Sequence, residues 1–284
     1  MSSNAFRNTE FGKVPIDWTV GELGDYITTL TDYHANGSYK KLKENVELLD
    51  TEDYAVMIRT TNFEQNNFEK NEFKYITRSA YEYLNKSKVY SNDILMNKIA
   101  NAGSVYFMPN LSKPVSLAMN LFLIRFDEKV INSKFGFYFL RNYEPYIKTR
   151  ASGSVTKTIT KENVRKLEIG HPEINEQEAI AATLSCLDEK IEVNNQINKT
   201  LEKMAQAIFK QWFVDFEFPN KDGEPYQSSG GEMVESELGL IPKGWEVNSV
   251  GDNAILVSRG IAPKYTDVSD QYVINQKCIR NGFL

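Results

Sequence analysis

The chain contains few of the side chains that metal sites and nucleophilic catalysis require. Its 284 residues include two cysteines, Cys186 and Cys278, and two histidines, His34 and His171. The cysteines are isolated, with no Cys-x-x-Cys pair and no zinc-type spacing, which is typical of a protein from a reducing compartment. We therefore expect no bound metal and no catalytic residue built from histidine or cysteine.

Several sequence signatures of other protein classes are also absent. No apolar run approaches the roughly 20 residues that span a bilayer, and the polar start MSSNAFRNTEFGK is unlike a signal peptide, so we expect a cytoplasmic protein. The chain has no phosphate-binding G-x-x-x-x-G-K-[ST] loop, no dinucleotide-binding G-x-G-x-x-G turn, and no Pro-Pro dipeptide of the kind that an adenine methyltransferase needs. A stand-alone nuclease or methyltransferase is thus the least supported interpretation.

Positive charge is in deficit overall but concentrated in one stretch. The net charge is −5; residues 1–174 carry 23 basic and 21 acidic side chains, and residues 175–284 carry 10 and 17. Within the first part, residues 129–166 hold nine lysines and arginines against two glutamates. A basic cluster on an acidic protein is typical of a polyanion-binding face, although a solvated surface has the same composition.

Residues 175–212 are predicted to form one long helix, because they contain no glycine or proline and are rich in strong helix formers. Its apolar residues recur at alternating spacings of four and three, the heptad pattern of a helix that packs along another helix. Two asparagines continue the pattern at its centre, where polar residues can fix register and partner number. This predicted partner-binding and dimer helix comprises Ile180, Leu184, Leu187, Ile191, Asn194, Asn198, Leu201 and Ile208. The alternative is a long amphipathic helix with a weak centre.

One short motif occurs both before and after this helix. Residues 10–25 read EFGKVPIDWTVGELGD, and residues 237–252 read ELGLIPKGWEVNSVGD. A shift of 227 positions, from 10 to 237, aligns them without a gap and pairs Pro15 with Pro242 and Trp18 with Trp245. A repeat at this distance predicts a duplicated domain rather than a solenoid unit. We therefore expect one complete domain, one spacer helix and the opening of a second domain, which stops at Leu284.

The region between the first motif and the helix mixes short strands with short helices, which predicts an α+β fold. Apolar runs at 55–60, 93–99 and 121–126 indicate strands, while 75–85 and 133–143 have helical periodicity. Residues 146–172 contain a small, polar, basic loop, a helix start at Thr160 and a strand at 167–169. Such a loop can contact phosphates and base edges, although most such loops are only mobile surface. The candidate DNA-binding residues are Lys148, Arg150, Ser152, Ser154, Thr156, Lys157, Thr158 and Lys161.

The order of these segments resembles that of a known family. A Pro-x-x-Trp motif is followed by the segments A-S-G-S-V-T-K-T-I-T, P-E-I-N-E-Q-E-A-I-A and A-I-F-K-Q-W-F. A second copy of the motif, P-K-G-W, comes after them. Over essentially the whole chain, this order resembles the specificity (S) subunit of type I restriction–modification systems. The resemblance implies an α+β target recognition domain at 1–174, a coiled-coil-type spacer helix at 175–216, a linker at 217–236 and the beginning of a second recognition domain at 237–284.

The resemblance also implies a function and partners. The chain would be a non-catalytic DNA-recognition subunit that reads one half-site of double-stranded DNA and docks methyltransferase (M) and restriction (R) subunits. It would bind no cofactor itself, since AdoMet, ATP and Mg are expected on the partner subunits. Family members usually have two complete recognition domains. The alternative is therefore a truncated or phase-variant product that is inactive or acts as a homodimeric half-subunit through the spacer helix.

Overall fold

The computed structural model shows a layered α+β domain followed by a long helix and a second, smaller unit. It describes residues 5–64, 68, 72–153, 156–260, 264–266, 268 and 272–274. The helices are α1 (Leu23–Tyr26), α2 (Tyr39–Asn45), α3 (Thr60–Glu64), α4 (Arg78–Tyr83), α5 (Ser133–Asn142), α6 (Glu144–Thr149), α7 (Lys161–Arg165), α8 (Ile174–Phe209) and α9 (Val250–Asn253), with a 3-10 turn at Tyr33–Asn36 and a π-helical turn at Lys210–Val214. The strands are β1 (Phe6–Thr9), β2 (Gly12–Pro15), β3 (Thr19–Glu22), β4 (Ile27–Asp32), β5 (Ala55–Ile58), β6 (Lys74–Ile76), β7 (Lys88–Val89), β8 (Ile94–Asn97), β9 (Val105–Phe107), β10 (Val115–Leu117), β11 (Leu121–Phe126), β12 (Glu168–His171), β13 (Met233–Ser236) and β14 (Gly239–Pro242).

Two four-stranded sheets form the centre of the first compact unit, Met1–Asn195. One sheet has the order β4-β11-β8-β9 and is antiparallel throughout. The other has the order β6-β5-β10-β7, in which β5 and β10 run parallel. Along β11, Leu121 and Leu123 belong to the core between the sheets, while Phe122 and Ile124 belong to the core under α5. Because both faces of this strand are covered, its sequence is an almost continuous apolar run.

Helices cover the outer face of each sheet. On one side α5 packs its phenylalanines into the larger core. Its N-cap is Asn132, whose side chain accepts a hydrogen bond from the N–H of Phe135 at 3.1 Å. On the other side, Leu42 of α2 and Ala80 of α4 pack over Met57 of β5. The α+β prediction is thereby confirmed, as are the strands at 55–60, 93–99 and 121–126 and the helix at 133–143.

The repeated motif has the same local structure at both positions. In the first copy β1 pairs with β2 from Phe6↔Pro15 to Thr9↔Gly12, and in the second β13 pairs with β14 from Met233↔Pro242 to Ser236↔Gly239. A tight turn follows each hairpin, with the N–H of Trp18 3.2 Å from the Pro15 carbonyl and that of Trp245 3.0 Å from the Pro242 carbonyl. A one-turn helix follows in each copy: α1 comes after strand β3 in the first, and α9 comes after residues 246–249, which form no strand, in the second. The 227-residue shift therefore relates backbone structure as well as sequence.

Helix α8 is 36 residues long, which corresponds to about 54 Å. Its first three turns pack on the α+β domain through Gln177, Ala181 and Ser185, which are buried. Ile180 also packs partly against the domain core, so the heptad pattern did not predict what this end of the helix contacts. From residue 187 onward the apolar side chains are exposed: Leu187, Ile191, Val193, Ile197, Leu201, Met204 and Ile208.

The second compact unit, Gln196–Leu284, is organised around an aromatic cluster. The ring of Trp245 stacks on Phe218 at 5.8 Å and meets Phe216 edge-on at 5.5 Å, and Phe218 also stacks on Tyr226 at 4.7 Å. Residues 217–236, predicted as a linker, thus supply two of the packed rings. Much of the predicted second domain, from 261 onward, lies outside the described residues.

Neither a membrane span nor a metal cluster is found in the part of the chain that the structure describes. There, no helix combines the length and the apolar character needed to cross a bilayer. Within the same residues, no three His, Cys, Asp or Glu side chains come together as ligands for a metal ion.

Candidate nucleic-acid interface

The basic loop at 151–160 is fastened at its base by backbone hydrogen bonds. Ser152 and Thr158 donate to each other's carbonyls at 2.9 and 2.8 Å. A second pair of bonds joins the loop to residues 98–103: the N–H of Ile159 donates to Lys98 at 3.0 Å, and that of Ala100 donates to Lys157 at 3.0 Å. Ile159 is also buried in the core. The two ends of the loop are therefore held in place by backbone hydrogen bonds.

Gly153 adopts a backbone conformation in this loop that favours glycine. Its φ is +127°, in the region that side chains rarely adopt, and a Cβ atom there would lie 2.3 Å from the Thr156 carbonyl oxygen. Ser152 and Thr156 are exposed and Thr158 is half-buried, so two of the predicted hydroxyl groups face solvent. The predicted contact Ser154 lies outside the described residues.

Two of the predicted cations form ion pairs near the loop. Lys148 lies 3.1 Å from a carboxylate oxygen of Glu144, one turn earlier on α6. Arg150 pairs with Glu10 and also donates to the hydroxyl of Tyr146 at 2.6 Å. The hydrogen bond from Tyr146, together with the Arg150 charge, lowers the pKa of Glu10 below its usual value. Both cations remain about two-fifths exposed.

The third predicted cation, Lys161, shares a carboxylate with a lysine that the sequence did not single out. Asp32 at the end of β4 accepts hydrogen bonds from Lys98 at 2.7 Å and from Lys161 at 2.9 Å, one on each oxygen. Burial alone would raise the pKa of Asp32, but the two lysines outweigh it and hold that pKa below its usual value. The Asp32 carboxylate therefore fixes the positions of both lysine side chains.

Lys157 differs from the other predicted cations. It is exposed, and no ion pair to it occurs among the described residues. Counting Lys98, this face carries five cations against the carboxylates of Glu10, Asp32 and Glu144. These five cations outnumber the three carboxylates by two, and the pairs of Lys148 and Arg150 are partly exposed to solvent.

The loop at 98–103 is the part of this surface that sequence reasoning missed. Ala100 has a φ of +65°, uncommon for a residue with a side chain, and both Ala100 and Asn101 are exposed. Such strained backbone occurs preferentially at functional sites. The Asn101-Ala-Gly103 run is a turn signal that could have identified the loop, but its position beside residues 151–160 depends on long-range pairing.

Comparison with known proteins then places the chain in a family. The model of the "Type I restriction modification DNA specificity domain" matches residues 15–203, which is more than half of the chain. The chain belongs to this family of DNA specificity domains. The resemblance predicted from the sequence is thereby confirmed.

Curated relatives of this specificity-domain chain are specificity subunits of type I restriction enzymes. The MjaIX subunit of Methanocaldococcus jannaschii is 29% identical over 266 residues, covering 91% of this chain and 56% of its own length. The HindI subunit of Haemophilus influenzae is 33% identical over 162 residues, covering 55% of this chain and 35% of its own length. The chain thus spans about half the length, or less, of the curated relatives it matches.

The solved structures that match part of this chain include two S subunits. That from M. genitalium is 20% identical, with a TM-score of 0.48 over 70% of this chain and 47% of its own. The HsdS subunit from Thermoanaerobacter tengcongensis is 17% identical, with a TM-score of 0.44 over 73% of this chain and 47% of its own.

Proposed function

We propose that this chain is the DNA sequence-recognition subunit of a type I restriction–modification complex and reads one half-site of its target. The observation that carries the proposal is the fastened basic loop at 151–160, which presents Lys157 and two hydroxyls beside the cations Lys148 and Arg150. Specific recognition needs side chains held in register against the groove, and a loop fixed at both ends supplies this. The proposal places the protein in the cytoplasm with its DNA.

The ion pairs on this face are compatible with phosphate binding. Exposed pairs contribute little to stability, so a phosphate can replace Glu144 or Glu10 as the partner of its cation at small cost. In the absence of DNA, the ion pairs with Glu144 and Glu10 limit the conformational freedom of the Lys148 and Arg150 side chains. Lys157 needs no such exchange, and we expect it to make the most direct phosphate contact.

The salt dependence of DNA binding tests this assignment. Replacing Lys148, Arg150 and Lys157 by alanine should lower affinity for every sequence, and each lost phosphate contact should reduce the log–log slope by about one. Lys157→Ala alone should change the slope by about the same single unit. The matched control is Lys203→Ala, an exposed lysine on α8. A folded triple variant with the wild-type slope would exclude these residues as phosphate contacts.

Sequence choice should reside in the first domain. We propose exchanging residues 28–166 for the corresponding part of another family member, which leaves α8 unchanged. The half-site methylated by the reconstituted complex should then become that of the donor. Retention of the original half-site would show that recognition lies elsewhere in the chain.

The exposed stripe of α8 is proposed to dock the methyltransferase subunit. Burying a leucine or isoleucine contributes about 1.5–3 kcal/mol, so Leu201 and Ile208 together give a substantial drive to associate. AdoMet, ATP and Mg would be held by the M and R subunits. Leu201→Ser with Ile208→Ser should weaken retention of the M subunit in co-purification, whereas Lys203→Ser should not. Full retention by the double variant would argue against this docking face.

The same stripe supports a second candidate, a homodimer through the spacer helix. Leu187 and Ile191 are more than half exposed and continue the stripe toward the domain. In a dimer with twofold symmetry, each of the two paired helices would carry its own recognition domain. The dimer would therefore read an interrupted palindrome. A stable monomer at micromolar concentration, measured by sedimentation without the M subunit, would eliminate this candidate.

A further inference from the structure

One apolar surface of the α+β domain is not explained by the contacts described above. It is a pocket lined in its buried part by Leu42 and Met57, which are 1% and 2% exposed. Around them lie Tyr39, Leu48 and Met119, which are 68%, 50% and 47% exposed. We call these five side chains the apolar pocket. Exposed apolar side chains that cluster in this way mark a binding site.

Backbone hydrogen bonds connect the apolar pocket to the basic loop at 151–160. The carbonyl of Asn120, the residue after Met119, accepts the N–H of Lys98 at 2.8 Å. The carbonyl of Lys98 accepts the N–H of Ile159, at the base of the loop, at 3.0 Å. Because both bonds join backbone groups, they fix the position of the turn that carries Met119 relative to the loop.

The order of the strands places the pocket and the loop at the same edge of the domain. Strand β11 begins where β4 and β8 end, since Phe122 pairs with Asp32 and Leu121 pairs with Asn97. In the other sheet, the parallel strands β5 and β10 end side by side. The turn at 118–120 joins β10 to β11 and so connects the two edges. A duplex that contacts the basic loop can therefore reach the apolar pocket along this edge.

The polar residues of the pocket suit a polyanion. Lys43 and Arg59 line it, together with Thr60 and Thr61. Among the described residues that line it, none is an aspartate or a glutamate. Cations and hydroxyl groups are the side chains that contact phosphates and so position a protein on DNA. Charge and location therefore both favour DNA as the occupant of the pocket.

The apolar side chains narrow the choice of base. In the major groove, all four base pairs present hydrogen-bond donors or acceptors, whereas only thymine among the unmodified bases presents a methyl group. Side chains such as Leu48 and Met119 cannot donate a hydrogen bond to a base edge, but they can bury this methyl group. Thymine is therefore the base that the apolar pocket fits best.

We propose that the apolar pocket contacts the 5-methyl group of a thymine in the half-site, with Met119 and Leu48 as specificity-determining residues and Lys43 on a neighbouring phosphate. This inference rests on the proposed function and adds to it the identity of one base. Burial of one methyl group changes an affinity by about fourfold, which a direct binding measurement resolves.

Removal of single methyl groups from the DNA tests the proposal. The sites that the chain modifies together with the M subunit, mapped on plasmid DNA, identify the half-site. Duplexes are then made in which each thymine of the half-site, one at a time, is replaced by uracil, which lacks only the methyl group. The wild-type complex should lose about fourfold in affinity at one of these positions.

Variants separate the methyl contact from general DNA binding. Met119→Ala with Leu48→Ala should weaken binding to the thymine duplex and bring the ratio of the two affinities close to one. Lys43→Ala should lower both affinities equally and keep the ratio. The matched control is Ile16→Ala with Val130→Ala, which replaces two exposed apolar residues of the same domain that do not line the pocket, and it should change neither affinity. Should the first double variant not fold, Met119→Ala alone takes its place.

The possible failures are distinguishable. A wild-type complex without sequence-specific binding would contradict the proposed function together with this inference. Specific binding to a half-site that has no thymine, or whose thymines can all be replaced by uracil without loss, would overturn this inference alone. A fourfold ratio that persists in the folded Met119 and Leu48 variant would do the same, because the methyl group then binds elsewhere. Loss of the M subunit from that variant in co-purification, with the ratio unchanged, would show that the pocket binds protein instead.

Discussion

Gln177, on the first turn of α8, accepts a hydrogen bond from the backbone N–H of Asn132 at 3.0 Å, at the start of α5. Its amide nitrogen donates to the carbonyls of Val130 and Pro172, each at 2.9 Å. The side chain is completely buried. A single glutamine therefore fastens the long helix to the α+β domain by satisfying three backbone groups.

Gln177→Met should consequently destabilise the chain by about 2–4 kcal/mol, because the Asn132 N–H and the Val130 carbonyl lose their partners inside the protein. Methionine keeps the volume, so packing changes little. The unfolding free energy from urea titration measures the effect. Gln206→Met, at an exposed position of the same helix, is the matched control and should change stability little. Equal stability of the two variants would mean that Gln177 does not anchor the helix.

Gly153→Ala should loosen the basic loop without unfolding the domain. The added methyl group would meet the Thr156 carbonyl, and the positive φ adds strain, together about 1–3 kcal/mol of local destabilisation. Amide hydrogen exchange at Ser152 and Thr158 should accelerate, and affinity for DNA should fall. Gly230→Ala controls for strain alone, since its φ is +89° but nothing lies within 4 Å of the new atom. Unchanged exchange at both amides would contradict this prediction.

Asp32→Asn should reduce stability at neutral pH by about 1–3 kcal/mol, because Lys98, only 14% exposed, loses its charged partner. The pKa of Asp32 in the folded protein lies below its ordinary value. Its stabilising contribution is therefore present above the unfolded-state pKa of about 3.9 and is lost as the pH falls through the folded value. The difference between wild type and variant should shrink below about pH 4 in urea titrations. A difference that stays constant from pH 7 to pH 3 would exclude this linkage. The exposed pair Lys243–Glu232 is the control: Glu232→Gln should change the melting temperature little.

Parts of this fold follow from short-range sequence pattern. Apolar runs predicted β5, β8 and β11 because strands buried on both faces need them. The helix start at Thr160 was predicted from its residue type, and its hydroxyl accepts the Asn163 N–H at 3.2 Å. The helical prediction for 75–85 was wrong at its beginning, where Tyr75 and Ile76 lie in β6. Pairing of Ala55 with Ile76 overrides the local pattern there.

The candidate site was harder to predict, because the residues that form its ion pairs are distant from one another in sequence. Arg150 pairs with Glu10 across 140 residues and Lys161 with Asp32 across 129. Neither separation leaves a local periodic signal. Lys98 reaches the same carboxylate from a loop that only strand order brings near. Composition could therefore indicate a basic stretch, whereas the distribution of charge within it required the fold.

The final prediction concerns Asn194 and Asn198, which lie exposed on the apolar stripe of α8. Replacing both by leucine should raise helix stability by a few tenths of a kcal/mol per site, since asparagine is the poorer helix former. It should also join the two halves of the stripe and remove the polar pair that can fix register. Sedimentation velocity should then show stronger self-association, with more than one oligomeric state. The control is Lys203→Leu with Gln206→Leu, which adds the same two leucines on the opposite face of the helix. If both double variants associate equally, general hydrophobicity and not the stripe controls assembly, and the asparagines have no role in partner choice.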